Sequence, residues 1–127
     1  MPTMPRVLVV DDEAPTILSF ARMLQLEGYD VETALDGETG LRLAETRVFD
    51  AILLDLRMPH LDGLGFLRRL RAIPSCRRTP VAVITGYYLA DADGTVAELE
   101  QLGAVVRYKP LWLDELIDLT RTLAASR

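Results

Sequence analysis

The chain has 127 residues, half of them apolar and about a quarter charged, which suits one domain with its own hydrophobic core and excludes both disorder and a second full domain. Nineteen acidic against 14 basic residues leave a net charge of −5, without the basic footprint that duplex nucleic acid demands. A single cysteine, Cys76, and a single histidine, His60, supply neither an internal disulfide nor a zinc-ligand set, and no apolar run approaches the ~18–20 residues of a membrane span, so a soluble, reducing compartment such as the cytosol is the expected setting.

The first apolar run, Val7-Leu8-Val9-Val10, is short, β-branched and continuous, as a strand buried on both faces reads, and it stops at Asp11-Asp12. Pro15 suits the first turn of a helix, and Ile17, Leu18, Ala21 and Leu24 recur at helical spacing until Gly28 ends it. Tyr29 to Ala34 predicts a second strand, and about Gly37 to Thr46 a second helix with Leu41 and Ala44 inward. Ala51-Ile52-Leu53-Leu54 is another doubly buried strand and ends on Asp55. After the Pro59 loop, Asp62-Gly63 opens a third helix carrying Leu64, Leu67, Leu70 and Arg71 as far as Pro74. Val81-Ala82-Val83-Ile84 repeats the buried-strand pattern and stops at Thr85. A weaker fourth helix, about Ala90 to Leu102, contains Gly94 at a cost of ~1 kcal/mol relative to alanine. Ala104 to Tyr108 is the last strand, and Leu113, Leu116, Ile117, Thr120 and Leu123 give the last helix its apolar stripe.

Five strands alternating with five helices require parallel strands joined by crossovers, hence a doubly wound α/β fold with helices on both faces of the sheet. The chain reads as one domain, 1–127, with a core from about Arg6 to Ala125 and no effector domain. In such folds a ligand sits outside the carboxyl ends of the strands. Those ends carry Asp11 and Asp12, Asp55, Thr85 and Lys109. No glycine-rich phosphate cradle follows the first strand, so dinucleotide and flavin readings have no support. Carboxylates brought within a few ångströms repel, by ~4 kcal/mol for a unit pair at 4 Å and an effective dielectric of 20. Either one acid keeps its proton or a hard dication sits among them, and Mg²⁺ suits such a set. Lys109 offers a compact positive charge and Thr85 a hydroxyl donor for phosphoryl oxygens, which completes the parts that phosphoryl transfer needs. Asp55 is the candidate acceptor and the Asp11-Asp12 pair the candidate cation site.

Val-Leu-Val-Val-Asp-Asp-Glu at 7–13, Leu-Leu-Asp-Leu-Arg-Met-Pro-His-Leu-Asp-Gly at 53–63, Ile-Thr-Gly at 84–86 and Tyr-Lys-Pro at 108–110 together resemble the receiver domain of two-component response regulators. The resemblance spans nearly the whole chain and implies a flavodoxin-like, five-stranded sheet of strand order 2-1-3-4-5. It implies that Asp55 takes a phosphoryl group from a phosphohistidine on a sensor histidine kinase or phosphotransfer protein. Asp11, Asp12, Asp55 and the backbone carbonyl of Arg57 would hold Mg²⁺, with Mn²⁺ as a substitute, while Lys109 and Thr85 contact the phosphoryl oxygens. It also implies a cis peptide between Lys109 and Pro110, and altered affinity for a downstream protein through the face of the fourth helix, last strand and last helix. Two positions depart from the family: Val106 stands where an aromatic switch residue is usual, and Gly86 where alanine is common after the threonine. Tyr108, which shares a strand face with Val106, or one of Tyr87 and Tyr88, is the expected substitute for the aromatic switch, and Tyr87 is placed to shield an acyl phosphate from water.

Each piece has a plainer reading in isolation. Asp12 before Ala14-Pro15 reads as a helix cap, Lys109-Pro110 as a surface turn, His60 as an exposed loop residue, Cys76 as an inert loop thiol, and Arg68, Arg69, Arg71, Arg77 and Arg78 as a solvated basic face. Tyr87, Tyr88, Tyr108 and Trp112 suggest an apolar interface that would serve a partner or a homodimer. Two rivals remain. A small Mg²⁺-dependent aspartyl phosphatase would want a second acid where Arg57 stands, together with a cap for which the chain leaves no room. A degenerate receiver that docks partners without phosphorylation is favoured only by Val106.

Overall fold

The computed structural model describes residues 4–86 and 94–126. Among them β1 (Arg6–Val10), α1 (Ala14–Leu26), β2 (Asp30–Ala34), α2 (Gly37–Thr46), β3 (Ala51–Leu54), α3 (Gly63–Ala72), β4 (Val81–Thr85), α4 (Thr95–Gln101), β5 (Ala104–Tyr108) and α5 (Leu113–Ala125) follow in order, with a 3₁₀ turn at Pro74–Cys76. The strands are all parallel in the order β2-β1-β3-β4-β5, the doubly wound arrangement expected from the sequence. The three continuous apolar runs form the inner strands β1, β3 and β4, as burial on both faces requires. On one face Leu8, Val10, Ile52, Leu54, Val81 and Val83 meet Leu41, Phe66, Leu67, Leu70 and Leu99 from α2, α3 and α4. On the other, Val7, Val9, Leu53, Ala82 and Ile84 meet Ile17 and Leu24 of α1 and Leu116 and Leu123 of α5. No helix among the described residues is long and apolar enough to cross a membrane.

Several expectations about individual residues are corrected. α1 buries Ile17, Ala21 and Leu24, spaced four and three apart, and Leu18 stands one step round the helix at 67% exposure. Leu113 likewise lies outside the Leu116, Thr120 and Leu123 stripe of α5 and is half exposed. Gly94 is not inside the fourth helix: it precedes Thr95 in a left-handed conformation, φ 75°, that only glycine adopts cheaply. Residues 87–93, with Tyr87, Tyr88 and the expected start of that helix, lie outside the described residues. The basic cluster is divided rather than shared on one face. Arg68 pairs with Glu98, Arg69 with Glu38, and Arg71 turns inward onto three backbone carbonyls. Cys76 is buried, and its thiol donates to the carbonyl of Ala44 at 3.5 Å.

The loop between β3 and α3 is shaped by a glycine with no room to spare. Asp62 caps α3 by accepting from the Gly65 N–H at 2.8 Å, and the Gly63 N–H donates back to the carbonyl of Leu56 at 2.8 Å. A Cβ on Gly63 would stand 2.7 Å from the carbonyl oxygen of Asp55 and 2.8 Å from the Leu56 Cα, both of them backbone atoms. The exposed His60, at φ 70°, turns the loop, with the Leu61 N–H donating to the Pro59 carbonyl at 2.8 Å. Gly63→Ala must therefore push the backbone around Asp55 outward. Urea denaturation is expected to show a loss of about 1–3 kcal/mol, the usual range for overpacking.

Candidate functional site

Parallel pairing carries the backbone one residue past the end of each strand. The Asp11 N–H donates to Ala34 O at 3.1 Å, the Asp55 N–H to Val10 O at 2.9 Å, and the Lys109 N–H to Thr85 O at 2.8 Å. Three side chains are thus delivered to one rim by the sheet itself. Asp11 and Asp55 are buried, at 3% and 7% exposure, while Asp12 is exposed. One carboxylate oxygen from each of the three lies within 4.8 Å of the others. Lys109 Nζ donates to Asp11 Oδ2 at 3.2 Å and stands 3.8 Å from Asp55 Oδ1. The other oxygen of Asp11 accepts from the Glu13 N–H at 3.0 Å, which fixes that carboxylate at the start of α1.

All the expected site residues meet here, with two refinements. A cavity of about 340 Å³ is bordered by Asp12, Glu13, Asp55, Arg57, Thr85 and Lys109. Thr85 borders it while being fully buried. Glu13 is an addition to the residues expected from the sequence, although the run Asp11-Asp12-Glu13 after the first strand is the signal that places it there. A Cβ on Gly86 would make ordinary contact, 3.8 Å, with the Lys109 stem, so this glycine is not required by space. The peptide between Lys109 and Pro110 is cis. Tyr108 pairs with Thr85 across the sheet and shares a strand face with Val106, which packs against the core beneath α2–α4. Trp112, 66% exposed, instead borders a groove with Pro15, Ser19, Phe20 and Met23 of α1, away from that face.

The charge balance is unfavourable for three ionised acids. Burial, reinforced by the Asp11 carboxylate and opposed by Lys109, pushes the Asp55 carboxyl up to about 6. A set of hard oxygen donors this close together fits a hard dication, which would relieve the same repulsion. Raised above its unfolded value, the Asp55 carboxyl keeps a proton in the folded protein between about pH 4 and pH 6 that the unfolded chain has lost, so stability falls as pH rises through that window. Once both states are ionised, the loss amounts to about 3 kcal/mol. In chelator, Asp55→Asn is therefore expected to stabilise the protein by about 1–3 kcal/mol near pH 8, with the gain shrinking below about pH 5 when denaturation is repeated there.

The chain is similar to known proteins along nearly its whole length. The family model of the response regulator receiver domain matches residues 7–121. The transcriptional regulatory protein PrrA of Mycobacterium tuberculosis is 40% identical over 125 residues, which cover 98% of this chain and 52% of that protein. The chain thus spans about half the length of the curated relatives it matches. The response regulator PleD of Caulobacter vibrioides is 42% identical over 80 residues, 63% of this chain and 18% of that protein. Among solved structures, the chemotaxis protein CheY4 of Vibrio cholerae superposes with a TM-score of 0.86 at 30% identity, covering 94% of this chain and 98% of that one. The receiver domain of the Francisella response regulator 1452 gives 0.83 at 31% identity, covering 96% and 98%. The chain belongs to the receiver domains of two-component response regulators, which are signalling domains.

Proposed function

We propose that the chain is a single receiver unit in which Asp55 accepts a phosphoryl group from a phosphohistidine and the modification alters affinity for a protein partner. The observation that carries this reading is the meeting of Asp11, Asp12 and Asp55 within 4.8 Å, with Lys109 Nζ 3.8 Å from Asp55. An Asp55 carboxyl near 6 is mostly ionised at neutral pH and retains a nucleophilic oxygen. In the transfer an Asp55 oxygen bonds to phosphorus as the P–N bond of the donor breaks, and the imidazole leaves with the bonding electron pair. Lys109 holds the incoming oxygens by charge, and the Thr85 hydroxyl reaches them once its side chain turns out of its buried position. Asp11, Asp12, Asp55 and the Arg57 carbonyl would hold Mg²⁺, which neutralises carboxylate and phosphoryl charge when bound. Tyr108, beside Thr85 on the neighbouring strand, is the residue we assign to passing that turn toward α4 in place of the aromatic that Val106 lacks.

Intact-mass spectrometry after incubation with a small acyl-phosphate donor and Mg²⁺ tests the reading. One added phosphoryl group is expected on the wild type, none on Asp55→Asn, and strong reduction in chelator. In Tyr108→Ala the mass gain should persist while the accompanying amide shifts at Thr95 to Glu98 diminish. An unmodified wild type would favour a docking module that works without phosphorylation, and turnover of external phosphomonoesters would favour the phosphatase.

A further inference from the structure

The loop from β3 to α3 carries Asp55 at its start and Arg57 at the edge of the acceptor cavity. Leu56 and Met58, both buried, seat its first limb on either side of Arg57, and His60 turns the chain. On the second limb Leu61 packs against the core between two helices that present glycines to it. A Cβ on Gly37, the first residue of α2, would stand 3.0 Å from Leu61 Cδ2, and one on Gly65, in the first turn of α3, 2.8 Å from Leu61 Cδ1. Each methyl group of the leucine thus fits against one helix only because a side chain is missing there. The α2 side of this wedge does not yield. One turn further on, a Cβ on Gly40 would stand 3.0 Å from Phe66 of α3 and from Val10 of β1, so α2 is itself pressed onto the sheet. Packing this close passes a displacement on rather than absorbing it.

The wedge bears on the site because the loop is short and closed. The Gly63 N–H bonds back to Leu56 O and the Leu61 N–H to Pro59 O, each at 2.8 Å, so Arg57 lies inside a small ring of backbone. Pro59, His60 and Asp62 are exposed, which leaves Leu61 as the apolar anchor of the second limb. Resting on the reading of Asp11, Asp12, Asp55 and the Arg57 carbonyl as a cation site, we propose that Leu61 is a positioning residue that fixes the Arg57 carbonyl and so sets the preference of that site for Mg²⁺ over Ca²⁺. Mg²⁺ demands near-octahedral oxygens at ~2.0–2.1 Å, whereas Ca²⁺ accepts a more variable set at ~2.3–2.6 Å. A carbonyl held in one place serves the smaller ion, and a carbonyl free to drift penalises that ion most.

NMR titration of the intact, metal-free protein with Mg²⁺ or Ca²⁺, near pH 8 and at constant ionic strength, reads both affinities from the amides around Asp12 and Arg57 without phosphorylation. In Leu61→Ala the Mg²⁺ affinity should fall at least about tenfold and the Ca²⁺ affinity by no more than about threefold. Leu61→Met, which refills the wedge, should restore the wild-type ratio. Leu43→Ala, the same truncation at a leucine of α2 that packs against this core, should leave the ratio unchanged. Gly65→Ala approaches the wedge from α3 and puts a better helix former there, so it serves even where Leu61→Ala fails to fold. It should shift the ratio in the wild type and shift it no further in Leu61→Ala. A wild-type ratio in either Leu61→Ala or Gly65→Ala, or one that Leu61→Met fails to restore, overturns the proposal. An equal shift in Leu43→Ala overturns it too, because general loosening of the core would then suffice. A wild type that binds neither ion, or binds Mg²⁺ no better than Asp12→Asn does, sinks the cation reading itself. Binding that depends on Asp12 with a ratio indifferent to Leu61 sinks the wedge alone, so the two failures are distinguishable.

Discussion

Like charges forced together by strand pairing are the constraint on which the rest of this molecule depends. Val10 lies opposite Leu54 in the parallel pairing of β1 and β3, so the next residue on each strand, Asp11 and Asp55, must emerge side by side. Neither side chain can escape, because both are buried and their backbone amides are engaged by the neighbouring strands. Lys109 arrives from β5, beyond β4 in the sheet, and divides one positive charge between two carboxylates, with the shorter contact going to Asp11. Asp55 is the acid left under-compensated, and its carboxyl is raised first by burial and then by the neighbouring Asp11 charge.

A folded protein holds such a site only where its surroundings leave no alternative. Here the inner strands supply that rigidity, with fully buried side chains on both faces, and Gly63 lets the start of α3 close down against the Asp55 backbone. Local stability is given up at a cluster of hard oxygen donors whose mutual repulsion a positive charge would relieve. A charge placed there would change the energy of whatever arrangement surrounds Asp55, and Thr85 at the end of β4 and Lys109 after β5, which border the same cavity, are positioned to respond.

The sheet was legible because its inner strands are continuous apolar runs that stop abruptly on polar residues: Val10 before Asp11, Leu54 before Asp55 and Ile84 before Thr85. The same stops revealed the candidate site, since a parallel sheet places all its strand ends on one rim. What periodicity does not encode is rotation about a helix axis at one-residue precision, so Leu18 and Leu113 were expected inside and stand exposed. Arg71 was hidden for a different reason. In a run of arginines nothing in composition separates the one that satisfies buried carbonyls from those that pair on the surface. The burial of Cys76 and the turning of Trp112 toward α1 depend on how short loops fold back, which local sequence does not determine.

If a divalent cation relieves the clustered carboxylates, folding stability near pH 8, at constant ionic strength, must depend on Mg²⁺. The urea midpoint is expected to climb with Mg²⁺, stability gaining about 1.4 kcal/mol for each decade above the dissociation constant, with a response much reduced in Asp12→Asn. A wild-type midpoint indifferent to Mg²⁺ into the tens of millimolar, or a response undiminished in Asp12→Asn, would contradict it.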